Sequence, residues 1–177
     1  MRRPAAGPAP PALSNTHNFH ANFQANLHAN IHARRNPLVS TTAVAPLTTQ
    51  DAEILVTAAR RAAEAAGTAV SVTVLDAGGH LLAFRRDDRA VLISGETSTR
   101  KAYTALQLDA PTADLVDAVQ PGGLFHTLPT ALDRPLLFIA GGVPLRRAGR
   151  LIGAIGVGGG TPQQDHDFAT AAVAELG

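Results

Sequence analysis

Few side chains between residues 47 and 177 combine a chemically useful type with a suggestive position. Three histidines lie there: His80, His126 and His166. His80 follows Asp76-Ala77-Gly78-Gly79, a tight-turn signature, and opens an alternating run. A neutral imidazole at that place can ligate iron, and the plain alternative is a half-exposed strand histidine. His126 sits in a long stretch with Pro121, Gly122, Gly123 and Pro129, and such loops carry function more often than cores do. His166 stands between Asp165 and Asp167 near a helix start and reads as solvated. The segment Arg100-Lys101-Ala102-Tyr103-Thr104 adds cations and hydroxyls on a helix stripe. Lys101, Tyr103 and Thr104 either pack as ordinary core or line a pocket that accepts an anion.

Several chemistries are missing. The chain has no cysteine, which removes disulfides, zinc ribbons, iron–sulfur clusters and thiolate catalysis together. Gly156-Val157-Gly158 has Thr161 where a dinucleotide fingerprint needs its third glycine, and no Walker lysine follows. The run reads as a glycine-rich strand end. No Gly-x-Ser-x-Gly elbow and no His-Glu-x-x-His helix occurs.

The chain has 177 residues and is 45% apolar, enough for one domain with a core. Residues 1–46 carry four arginines and no acid. Residues 47–177 carry 11 Lys+Arg and 14 Asp+Glu, a mildly acidic balance that argues against a nucleic-acid partner. No apolar run approaches the roughly 20 residues of a membrane span, so a cytoplasmic protein is expected. The first 46 residues hold a Pro/Ala stretch and a four-residue repeat, Asn18-Phe19-His20-Ala21 to Asn30-Ile31-His32-Ala33. A period of four drifts against the 3.6-residue helix. This segment reads as a disordered leader; the competing reading is a metal or heme trap built from His17, His20, His28 and His32.

The elements that must position the site follow from periodicity. Thr48 caps a first helix, with Asp51 three residues on and Gly67 as its stop. Val70, Val72 and Val74 alternate with Ser71 and Thr73, as in a half-buried strand, and the chain returns through 80–85 with His80, Leu82 and Phe84 on one face. Residues 94–109 read as a second helix, with Glu96 and Arg100 paired on its surface, and 112–119 as a short third. A loop follows from Gln120 to Arg134. Residues 136–145 read as a strand, Arg147-Ala148-Gly149 as its turn and 151–157 as its hairpin partner; Pro162 opens a last helix. The order α-β-β-α-α-β-β-α, with hairpins in place of crossovers, predicts an α+β fold with an antiparallel sheet flanked by helices.

Four blocks of this sequence carry a resemblance: Val74-Leu75-Asp76-Ala77-Gly78-Gly79-His80-Leu81, Arg100-Lys101-Ala102-Tyr103-Thr104-Ala105, Ala140-Gly141-Gly142-Val143-Pro144-Leu145 and Ile152-Gly153-Ala154-Ile155-Gly156-Val157. Together, and in this order, they resemble the GlcG/HbpS heme-binding family across nearly all of residues 47–177. Asp109-Ala110-Pro111-Thr112 is similar to the family's HbpS branch. The resemblance implies a profilin-like fold, a homo-oligomer, and heme binding with carrier, storage or sensor roles in some members. A related domain ends some corrinoid adenosyltransferases. Under that resemblance His80 is the candidate axial ligand, with Thr104 a weak second choice. Arg100 and Lys101 are the cations for the propionates, Tyr103 lies in the same motif, and Leu82, Phe84 and Leu108 form the apolar wall. Two other functions stay open: an enzyme acting on a small organic substrate in the same pocket, with Lys101, Tyr103 or His80 as acid or base, and a structural oligomer with no ligand.

Overall fold

The structure is a computed structural model and describes residues 44–176. Residues 1–43 of the leader, with its histidines, fall outside the described residues; of its last three residues, Val44 packs against the core and the Ala45 and Pro46 carbonyls accept from Arg147. Helix α1 spans Thr49–Ala65. Thr48 closes a capping box with Asp51: the Asp51 amide donates to Thr48 Oγ1 at 3.1 Å, and the Thr48 amide donates to Asp51 Oδ2 at 2.8 Å. Such caps are worth about 1 kcal/mol. Strands β1 (Ser71–Asp76) and β2 (Leu81–Arg86) form one antiparallel hairpin. Helix α2 runs Ser94–Leu108. A short helix, α3, covers Leu128–Ala131. Strands β3 (Gly142–Arg147) and β4 (Arg150–Gly158) form the second hairpin, and α4 (Pro162–Val173) closes the domain with a second capping box, Thr161 with Gln164.

The four strands make one antiparallel sheet in the order β2-β1-β4-β3. Helices α1 and α4 cover one face, where Leu55, Val56, Val72, Val74, Ile155 and Phe168 build the main core. Helix α2 lies on the other face, over Leu75 and Ala154. This is the expected α+β layer fold. No described helix is long and apolar enough to cross a membrane.

Four local expectations need correction. Residues 136–140 are not strand; the strand begins at Gly142, and the apolar run ahead of it crosses as irregular chain with Leu136 buried. Hydrophobicity alone could not mark that boundary. Residues 112–119 form two 3-10 turns, Thr112–Leu115 and Asp117–Val119, in place of one helix. β1 is buried on both faces. Its Ser71 and Thr73 hydroxyls turn inward to Ser94 Oγ and Ser98 Oγ, each at 2.8 Å, so the polar half of the alternation faces α2 and not water. Lastly, a bulge between Val74 and Leu75 shifts the register with β2. Leu81 then stands opposite Leu75 and Phe84 opposite Thr73, on the α2 side, while Leu82 packs into the α1 core. His80, Leu82 and Phe84 therefore do not share a face, because the bulge breaks the two-residue period.

The glycines of the second hairpin have a packing reason. A Cβ on Gly156 would stand 2.0 Å from the Ser98 carbonyl oxygen, and one on Gly142 would stand 2.2 Å from that of Lys101. Helix α2 presses its backbone onto these strands, so the glycine-rich run serves helix approach and not phosphate binding.

Candidate functional site at the first hairpin turn

The turn between β1 and β2 is organised by one carboxylate. Asp76 Oδ1 accepts from the Gly78 amide at 2.8 Å and the His80 amide at 2.9 Å. Oδ2 lies 3.3 Å from His80 Nδ1. The His80 amide, more than any other neighbour, holds the Asp76 carboxyl below its ordinary range, with the Gly78 amide and the imidazole adding to it against partial burial. Gly79 takes φ +81°, a conformation that favours glycine. Gly78 leaves room for the ring: a Cβ there would come within 2.8 Å of His80 Nδ1 and push the exposed imidazole aside. The sequence of the turn thus sets the ring's position.

The His80 side chain is 81% exposed, against 33% for Asp76. With Nδ1 turned to the carboxylate, Nε2 faces solvent, the arrangement by which a carboxylate commonly orients a ligating histidine. Leu81 and Phe84, both exposed, stand on the α2 side of β2, and the Phe84 ring edge reaches Gly95 in the first turn of the helix. Tyr103 belongs to the same corner, since a Cβ on Gly79 would contact its ring edge at 3.8 Å. Arg134 closes the corner from the far side, its guanidinium carbon 3.7 Å from the centre of the Tyr103 ring. Sequence reasoning passed over Arg134, which lies at the end of the long loop. Only its charge ahead of an apolar run could have marked it.

The five expected site residues part company here. His80 and Tyr103 share the corner. Arg100 is half-exposed on α2 and pairs with Glu96, one turn back, as its spacing implied. Lys101 and Thr104 face inward in the protomer, against the expectation that they line an open pocket. Lys101 Nζ donates to Asp165 Oδ2 at 2.7 Å and to the Val157 carbonyl at 3.1 Å, with both charged side chains almost fully enclosed. Thr104 Oγ1 donates to the Arg100 carbonyl and accepts from the Leu137 amide, both at 2.8 Å, which ties the irregular 136–140 segment to α2. Of the other histidines, His126 is exposed. His166 is half-buried with Nδ1 enclosed, where a solvated ring was expected.

The family model described as "Haem degrading protein HbpS-like" matches residues 47–174. The chain belongs to the HbpS-like family. Among HbpS-like relatives, the corrinoid adenosyltransferase PduO of Salmonella typhimurium is 37% identical over 136 residues, which are 77% of this chain but only 40% of that enzyme. The solved PduOC:heme complex superposes with a TM-score of 0.71 at 35% identity, covering 73% of this chain and 94% of that one. The crystal structure of HbpS gives 0.70 at 36% identity, covering 78% and 95%.

The residues at the first turn fit a heme. Among the described residues no group of three or more His, Asp or Glu side chains is placed to hold a bare metal ion. His80 offers one nitrogen, which suits an iron whose other in-plane ligands come with a porphyrin. The exposed Leu81 and Phe84 offer apolar surface of the kind a porphyrin face covers.

Proposed function

We propose that this protein binds heme in a carrier, storage or sensor role, with residues 47–177 as the functional unit and His80 as the axial ligand. The observation that carries the reading is the exposed His80 imidazole, oriented through Nδ1 by Asp76 and flanked by exposed Leu81. Membership of the HbpS-like family and the likeness to the PduOC:heme complex support it. Bound heme would supply redox-active iron. The chain's own part is to hold it: His80 Nε2 meets the iron, Leu81 and Phe84 cover the ring, and Tyr103 packs at the corner. Arg100 stands a turn from that corner with its charge shared by Glu96. Lys101 and Thr104 have no part in this arrangement, because their polar atoms are already engaged inside the protomer. We further propose a homo-oligomer. Val91, Leu92 and Ile93 support it, three consecutive apolar residues that are 60%, 83% and 64% exposed between β2 and α2.

The test is a hemin titration followed in the Soret region. Wild type should bind at micromolar concentration or tighter, about −8 kcal/mol. His80→Ala should both weaken binding and move the Soret maximum. A weakened affinity with an unmoved spectrum would remove His80 as ligand. A wild-type spectrum identical to free hemin would end the heme reading.

A further inference from the structure

The cation at this corner is poised on a ring and has no acid to pair with. Arg134 is exposed, and apart from its stacking on Tyr103 it makes no hydrogen bond or ion pair among the described residues. A guanidinium stacked on an aromatic face keeps its N–H donors in its own plane, where they match a carboxylate in bidentate fashion. The Tyr103 hydroxyl, at the edge of the same ring, has no hydrogen-bond partner among the described residues either. Two polar groups of the right type are therefore unpartnered at one corner among the described residues, and the ring beneath Arg134 lies beside the turn that presents His80, 3.8 Å from where a Cβ on Gly79 would stand. Three residues on from Arg134, the Leu137 amide donates to Thr104 Oγ1 at 2.8 Å, which anchors this end of the loop to α2 beside Tyr103.

We infer that Arg134 and the Tyr103 hydroxyl form a carboxylate clamp that receives a side-chain carboxylate of the porphyrin whose iron meets His80. This rests on the heme reading above and assigns the anion-binding role to Arg134, where the sequence had pointed to Arg100 and Lys101. Stacking pre-orders the arginine, so the carboxylate does not have to immobilise a free side chain.

The clamp is tested by titrating wild type, Arg134→Ala, Arg134→Lys and Tyr103→Phe with hemin and with hemin dimethyl ester, whose carboxylates are blocked. For hemin, Arg134→Ala should lose about tenfold in affinity, the size of a hydrogen bond to a charged group. Arg134→Lys should lose less, and Tyr103→Phe should show a smaller loss with an unchanged Soret maximum. The ester should bind wild type about as weakly as hemin binds Arg134→Ala, and Arg134→Ala should not weaken it further. Equal hemin affinity in wild type and Arg134→Ala overturns the clamp and leaves the heme reading standing. Equal losses for hemin and its ester also overturn it, because the arginine would then act by packing. Failure of wild type to bind either compound overturns both proposals.

Discussion

Lys101 shows how one side chain can be misjudged from its neighbours in sequence. Its place in a polar helical segment suggested an anion site, yet its ammonium lies inside, against Asp165 and the end of β4. Asp165 sits in the first turn of α4, and its second oxygen accepts from the Gly160 amide at 2.9 Å. The pair therefore joins α2, β4 and α4. Removing one member of such a pair strands the other charge, at a cost of about 3–5 kcal/mol. Lys101→Met should lower the free energy of unfolding by that amount in urea titrations, and adding Asp165→Leu should recover part of it. If Lys101→Met unfolds like wild type, the pair contributes nothing. Given the expected loss of stability, a lost ligand in a Lys101 variant would report a loosened fold and not a lost contact. At this scale the geometry of the first turn was legible, because Asp, Gly, Gly and His are adjacent. The partners of Lys101, Thr104 and Tyr103 were not, since Asp165, Leu137 and Arg134 reach them through tertiary packing that no local spacing encodes.

Element ends depend on carboxylates. Asp51 caps α1, where the Thr48 amide above all holds its carboxyl below the ordinary range, and Asp76 holds the first hairpin turn in the same sense. Both groups bind protons more weakly folded than unfolded, so the stability they add is fully present above the unfolded value of about 3.9. It is lost as pH falls through the lower folded values. The urea midpoint should stay flat from pH 7 to about 5 and fall below about 4. Asp76→Asn should fall less steeply; a slope equal to wild type would show that the turn carboxylate plays no part in acid unfolding. The helices α1 and α4 and both hairpins were legible because caps, glycines and alternation agree there, and α2 was legible from the Glu96–Arg100 spacing. The bulge at Val74/Leu75 and the start of β3 were not. A bulge leaves no compositional trace, and an apolar run reads alike as buried strand or buried connection.

For the whole molecule, the α+β layer architecture followed from hairpins in place of crossovers, and it holds. What the molecule does with its surface was less legible, because exposure is a property of the packed domain. The apolar stretch 91–93 stands out in the folded domain by its exposure. A homo-oligomer that uses it should appear by light scattering as a dimer or larger at micromolar concentration, and Leu92→Glu should shift it toward monomer. A monomeric wild type would sink that proposal.

The sheet order also sets a sequence of events for the newly made chain. Each hairpin joins strands that are neighbours along the chain, so each can close early and alone. The seam between them pairs Ser71 with Gly158, 87 positions further along the chain. Closing so long a loop comes late and slowly. The turn that presents His80 belongs to the early hairpin, whereas Tyr103 and Arg134 reach it only once α2 has settled on the joined sheet. A chain caught midway would hold an imidazole with no clamp beside it, and ligand capture would then report completion of folding.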